Sequence, residues 1–417
     1  MKLLVIHPDF PGQFQHLVAH LARDEAWTVV GVGDAANSGS YRPPPGLRLI
    51  HYPSPSPPPP GVHPDAFKLD AGVRRGRAAA RVALDLRDGG FFPDVILVHP
   101  GWGDALYLKE VFPNARILAY CEYHYRPRGS DVGFDPEFPP TLNDLFRVRS
   151  KNAVGMLSLE ASDWGMSPTH WQRDQHPEAY RSRISVVFDG IDTGVVRPDP
   201  RAEVRLGRDG LRLTRNDEVV TFVNRSLEPY RGFHSFMRAL PELQRRRPRL
   251  HALIVGGDDV SYGLPPGDGR CWREALLAEV GHRLDFDRIH FLGRLPYQSY
   301  LKVLQVSSVH VYLTYPFILG WSMMEAMAAG CAVVGSRTPP VQEMIDDGVT
   351  GYLADFLSPD AIADTVCRVL EHPDRRREVG ARARELIVSR YDLNRVCLPQ
   401  QIALLRQVAS GHMPDPV

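Results

Sequence analysis

Two arginines six residues apart, Arg225 and Arg231 in "NRSLEPYRG" (residues 224–232), follow an apolar run, "EVVTFV", that reads as a buried strand. A guanidinium is a planar fork that pairs with phosphate oxygens two at a time, so two of them at a strand end, opposite a helix N-terminus, make a site for a diphosphate. Each alone reads as a solvated surface cation. Gly12, in "HPDFPGQF", carries no side chain and lets a ligand approach the start of the following helix. Glu122 and His124 follow the apolar run "ARILAYC", and His99 ends another, "DVILVH". A carboxylate or imidazole at such a strand end orients an incoming hydroxyl or shuttles its proton; the alternative is a hydrogen-bonded structural pair. Asp131 and Asp135, in "SDVGFDPEF", read as loop-capping residues.

Glu325 is the one carboxylate in "TYPFILGWSMMEAMAAGCAVVGS" (residues 314–336). By spacing alone, Ser322 and Glu325 form a capping box, each side chain satisfying a backbone N–H at a helix start. Gly330 then stops an Ala-rich helix, and "CAVVGS" reads as the next strand.

The elements that must position these residues alternate. "LLVI", residues 27–32, "DVILVH", "ARILAYC" and "RISVVFDGID" read as strands with helical patterns between them, such as Phe14, Leu17, Val18 and Leu21 on one face. A second series runs through "EVVTFVNRS", "LHALIVGGD", "IHFLGRL", "SSVHVYLTY" and "CAVVGS". Strand–helix alternation twice over predicts two α/β domains with parallel sheets, ligands binding at the carboxyl ends of the strands. The prolines of "TGVVRPDP" mark the join, which sets expected limits of 1–195, 196–390, and a C-terminal helix over 391–417 that crosses back to the first domain despite Pro399.

Length and composition exclude several function classes. At 417 residues the chain is too long for one ordinary core. Lys+Arg 49 against Asp+Glu 49 leaves no net charge, which argues against nucleic acid as partner. Five scattered cysteines without C-x-x-C spacing predict a reduced, cytoplasmic protein with no zinc site. No apolar run approaches the roughly 20 residues of a membrane span. The arginine-studded helix "VRRGRAAARVALDLR" reads as a solvated face, compatible with peripheral contact at the inner membrane surface. "YPSPSPPPPGVHP" reads as an extended spacer.

The ordered series "FDGIDT…RP", "VNRSLEPYRG", "LIVGGD", "FLGRLPYQSYLKVLQVSSVHVYLTY", "GWSMMEAMAAGCAVVGS" and "EMIDDGVTGYLAD" resembles the nucleotide-sugar-binding half of family 4 glycosyltransferases with the GT-B fold. "HPDFPGQFQHL" and "EYHYRPRGSDVGFDPEF" resemble one branch of that family. The resemblance implies two Rossmann-like domains facing across a cleft and a retaining transfer that needs no metal or cofactor. The co-substrate would be a nucleotide sugar, and the acceptor a glycan, lipid or small molecule. By the same resemblance Arg225 and Arg231 hold the donor diphosphate and Glu325 takes the ribose hydroxyls. The backbone at Arg294-Leu295 lies near the base, the amides of Gly320, Trp321 and Ser322 meet phosphate and sugar, and Gly12 lies close to phosphate or acceptor. Glu122, His124 and His99 stand on the acceptor side.

The chain departs from that pattern in places. Phe317 replaces the first of two glutamates, Asn224 a glycine, Arg231 a lysine and Asp189 an asparagine, and the arginine loop carries an extra residue. Two other classes share the architecture, a nucleotide-sugar epimerase and a non-catalytic nucleotide-sugar-binding protein.

Overall fold

Apolar runs, most of them rich in Val, Ile and Leu and buried over most of their length, become the inner strands of two parallel sheets in the computed structural model, which describes residues 1–207, 210–412 and 414. Contacts divide the chain into two units: Met1–Gly190 with Asn394–Val417, and Ile191–Leu393. The breaks thus lie after Gly190 and Leu393, against the expected 195 and 390.

Among the described residues, the first unit holds seven strands: β1 (Lys2–Ile6), β2 (Thr28–Asp34), β3 (Leu47–Tyr52), β4 (Val95–Val98), β5 (Arg116–Tyr120), β6 (Trp164–Ser167) and β7 (Ile184–Val186). Their order is β3-β2-β1-β4-β5-β6-β7, all parallel, with Leu3 beside Val29 on one side and Val95 on the other. The order reverses between β1 and β4, so the crevice for a ligand opens at their carboxyl ends, where His7 and His99 stand.

Sequence patterning missed β3 and β6. The β6 run, Trp-Gly-Met-Ser, contains no β-branched residue to signal a strand. Its Gly165 is required by closeness: a Cβ there would stand 2.8 Å from both Cys121 Sγ and Ile184 Cγ1.

The second unit holds a small antiparallel hairpin, β8 (Glu203–Leu206) with β9 (Leu211–Thr214), and a six-stranded parallel sheet. Its strands are β10 (Val219–Ser226), β11 (His251–Gly257), β12 (Ile289–Gly293), β13 (Val309–Tyr312), β14 (Ala332–Ser336) and β15 (Tyr352–Ala354), in the order β12-β11-β10-β13-β14-β15. Here the reversal falls between β10 and β13. The helix Phe233–Arg246 shows why the layers hold: Phe233, Phe236, Met237, Leu240 and Leu243 face the sheet, with Phe236 stacked 4.7 Å from Phe222 of β10, while Arg245 and Arg246 end its outer face. Each such side chain stabilises the fold by about 1.5–3 kcal/mol.

The C-terminal segment is not one helix. The helix Pro373–Arg390 ends, Asp392 accepts a hydrogen bond from Thr193, a wide π-helical turn spans Leu393–Cys397, and a new helix runs Leu398–Ala409. Pro399 falls in its first turn, where a missing N–H costs nothing. Leu404, Leu405 and Val408 pack it on the first unit, and Gln401 Nε2 donates to Phe188 O at 3.0 Å. The end of the expected 391–417 segment lies in part outside the described residues. No helix among them is long and apolar enough to cross a membrane.

Candidate active site

In the second unit β10 delivers the arginine loop to the reversal point. Arg225 is exposed and makes no hydrogen bond or ion pair among the described residues, and the buried amide nitrogen of the adjacent Asn224 also lacks a partner. Glu228 is fully buried and accepts from the backbone N–H groups of Ser261, Tyr262 and Gly263, which ties the loop after β11 to this one. A 3₁₀ turn, Pro229–Arg231, then leads into Gly232, whose φ of +69° and whose nearness to Leu313 leave no room for a Cβ.

Arg231 is not free. It is 7% exposed, its Nη1 donates to Thr314 Oγ1 at 3.0 Å and Ile318 O at 2.8 Å, and its guanidinium lies over the rings of Tyr262 and Phe317 at 5.1 and 5.7 Å. It therefore joins the β10 loop to the loop after β13 across the reversal point. Phe317 is 1% exposed, edge-on to Tyr230 and Tyr262. It is turned into the core and offers a ligand nothing.

The helix Trp321–Ala328 begins beside the end of β10, with Ser322 Oγ donating to Val223 O at 3.4 Å. Its N-cap is Gly320, with no side-chain cap, so the capping-box reading of Ser322 and Glu325 fails: Glu325 lies two residues beyond the N3 position, which Met323 fills. The Gly320 amide donates to Tyr312 Oη at 2.6 Å. Glu325 instead accepts from Tyr297 Oη at 2.7 Å on one oxygen and Tyr300 Oη at 2.6 Å on the other. Burial pushes its carboxyl above the ordinary range, and these two hydroxyls oppose the shift. Arg294, just past β12, pairs with Asp259 and lies against Gly257, where a Cβ would come within 2.9 Å of its Nε; Leu295 beside it is half-buried.

In the first unit, four side chains converge at the ends of β1, β4 and β5. Gly101 N–H donates to His99 Nδ1 at 3.1 Å, which assigns the proton to Nε2 and directs it to Glu122 Oε2 at 3.3 Å. Gln13 Nε2 donates to the other Glu122 oxygen at 2.7 Å. His7, 3% exposed, takes Asp9 N–H on Nδ1 at 3.0 Å; its Nε2, like Gln13 Oε1, is buried with no partner at hydrogen-bond geometry. Burial and the neighbouring His99 hold His7 near a pKa of about 3, hence neutral. Burial pushes Glu122 up, but His99, Gln13 and His7 outweigh it and keep the carboxyl below its ordinary range. An ionised carboxylate backed by a histidine, as here, can take up a proton.

His124 stands apart from this group. Its ring lies 5.8 Å from that of His176, and burial with Arg126 and Arg149 nearby holds it at about 4. Gly12 has a local explanation: φ is +54°, and a Cβ would stand 2.6 Å from the His7 ring. Asp189 accepts from the Tyr120 hydroxyl at 2.7 Å.

Sequence reasoning missed His7, Tyr297, Tyr300 and Asp104, and it placed Gln13 beside Gly12 without giving its side chain a role. Asp104 is a fully buried acid that accepts from Tyr52 Oη at 2.7 Å. The i, i+3 tyrosines of "PYQSY" carried a signal, two hydroxyls on one helical face.

Residues 25–196 match the Glycosyl transferase family 4 group and residues 208–386 match Glycosyl transferases group 1. The chain is 31% identical over 212 residues to a D-inositol 3-phosphate glycosyltransferase of Corynebacterium efficiens, a match covering 50% of this chain and 48% of that one. The chain spans about half the length of the curated relatives it matches in this way. Among solved structures, sucrose-phosphate synthase from Thermosynechococcus elongatus superposes with a TM-score of 0.75 at 20% identity, covering 99% of this chain and 100% of that one. Anabaena HepE in complex with UDP superposes at 0.70 and 15% identity, covering 98% and 100%.

Proposed function

Because the chain belongs to the family 4 glycosyltransferases of GT-B fold, we propose that it moves a sugar from a nucleoside-diphosphate sugar to an acceptor hydroxyl with retention of anomeric configuration. One observation carries this reading. At the reversal point of the second sheet stand an unpartnered guanidinium, Arg225, an idle amide, Asn224, and the start of the helix Trp321–Ala328, with Arg231 tying the two loops together. Donors without partners at a strand end suit a ligand rich in acceptor oxygens, as a diphosphate is.

In this reading the sugar C1–oxygen bond to the diphosphate breaks, and the acceptor oxygen bonds to C1 on the same face. The acceptor proton leaves with the departing phosphate. Charge growing on the diphosphate is met by Arg225 directly, with Arg231 as the fixed charge behind it; this is electrostatic stabilisation by groups set in place beforehand. Such a site works without a metal ion or cofactor. The acceptor is a glycan, lipid or small molecule, and the nucleotide bound by the HepE neighbour supports a nucleoside diphosphate on the donor side.

The test is direct. The chain is incubated with nucleotide sugars, with and without acceptor extracts and with EDTA, and products are followed by NMR at the anomeric proton. Transfer with retention that survives EDTA is the expected result. Epimerised donor without transfer, inverted product, or loss of activity restored by a divalent ion would each overturn the corresponding part.

A further inference from the structure

Both oxygens of Glu325 already carry a hydrogen bond, from two tyrosines 28 and 25 residues earlier in the chain. Tyr297 and Tyr300 are one turn apart on the helix Tyr297–Val306, with ring centroids 5.8 Å apart, so both hydroxyls reach the carboxylate from one face. Tyr300 is 9% exposed, a fixed post, while Tyr297 is 47% exposed at the surface. An ionised carboxylate offers about four lone-pair sites, two on each oxygen. One tyrosyl hydroxyl on each oxygen leaves one vacant acceptor on each, which is the pattern two vicinal hydroxyls require.

We propose that Tyr297 and Tyr300 are positioning residues that lock the Glu325 carboxylate so that its two remaining acceptors meet the vicinal 2′ and 3′ hydroxyls of a nucleoside diphosphate. This rests on the donor-site reading above. A free glutamate side chain must be ordered when a ligand binds; one clamped beforehand has already lost that freedom. The clamp also gives the carboxylate a plane and a direction, so it rewards a diol over a single hydroxyl or none. Burial favours the protonated acid, which has fewer acceptors, and the two tyrosyl donors work against that tendency.

The experiment compares UDP, ADP and GDP, each beside its 2′,3′-dideoxy analogue, by calorimetry on the full chain and on Tyr297→Phe, Tyr300→Phe and Glu325→Gln. The wild type is expected to prefer the diol form of its best nucleotide by about tenfold or more. Each Tyr→Phe change should cut that preference about threefold or more while leaving dideoxy affinity unaltered, because each removes one hydroxyl and no packing surface. A purely structural role would weaken both forms equally. Equal weakening, or none, alongside a wild-type diol preference lost in Glu325→Gln, overturns the positioning role and leaves the ribose reading standing. A wild type indifferent to the diol overturns both. Tyr297→Phe, at an exposed position, keeps the test valid should Tyr300→Phe fold poorly.

Discussion

Arg225 and Arg231 look alike in sequence, and their surroundings separate them. Arg225→Ala removes an exposed group without partners, so the melting temperature should stay within the scatter of surface changes, about 0.5 kcal/mol, while nucleoside diphosphate affinity falls about tenfold or more. Arg231→Ala strands the carbonyl of Ile318 and empties the space under Phe317, which should cost about 2–4 kcal/mol in denaturant unfolding. An Arg231→Ala protein as stable as wild type would show that this guanidinium is spare. Phe317→Glu belongs to the same scale. It drives a carboxylate into a site walled by Tyr230 and Tyr262, so it should lower stability by about 3 kcal/mol or more and bring no gain in transfer. A gain in transfer would mean that the residue faces the donor sugar.

At the scale of elements, glycines decide how closely loops and helices approach. Gly232 starts the helix Phe233–Arg246 in the left-handed region at φ +69°, and a Cβ there would stand 2.3 Å from Leu313 Cβ on the loop after β13. Gly232→Ala should therefore cost about 2–4 kcal/mol, from the backbone region and the overlap together. Gly155, inside the helix Ala153–Glu160, meets nothing within 4 Å, and Gly155→Ala should stabilise by about 1 kcal/mol. Thermal melts of the two single variants check both signs, and equal shifts would refute the argument from approach. The close passage of Gly103 against Gly72, with a Cβ clearance of 2.3 Å, likewise lets the loop after His99 seat on the helix Phe67–Asp88. The inner face of that helix is Gly72, Gly76, Ala79, Ala83 and Leu86, small enough for this contact.

For the whole molecule, buried histidines set the response to acid. His7 and His310 are held at about 3 and His124 and His176 at about 4, in each case chiefly by burial, against an ordinary 6.5. In the unfolded chain these rings take protons as pH falls through 6.5, while the folded chain keeps them neutral to 3–4. The unfolded state then binds more protons, so stability is full above about 6.5 and is lost as pH falls below it. Asp104 acts in the opposite sense, since burial pushes its carboxyl to about 6 and the cost of ionising it is relieved in acid. Glu325, also raised by burial, acts with Asp104, and His251 and His290 are lowered like the other four rings; six histidines against two carboxyls give a net loss, and the melting temperature should fall from pH 7 to pH 5 and recover on return. A melting temperature that stays level or rises over that interval would refute it.

The strands, their alternation with helices and the two-unit plan were legible because buried parallel strands need unbroken apolar runs, and the chain supplies them at β1, β4, β5, β10, β11, β13 and β14. The exposed Arg225 at a strand end was legible for the same reason: where an apolar run stops, the carboxyl edge begins. What local pattern could not carry is which side chains meet across distance. Gln13 reaches Glu122 over 109 residues and Tyr297 reaches Glu325 over 28, because neighbouring parallel strands are joined through helices and their ends come together only once the sheet is assembled. The Ser322–Glu325 spacing fits a cap equally well as a sequence; it was the start of the helix at Trp321, fixed by packing against β10, that turned Glu325 toward two tyrosines instead. Likewise burial, a property of the whole fold, made Arg231 a tie between loops and left Arg225 exposed.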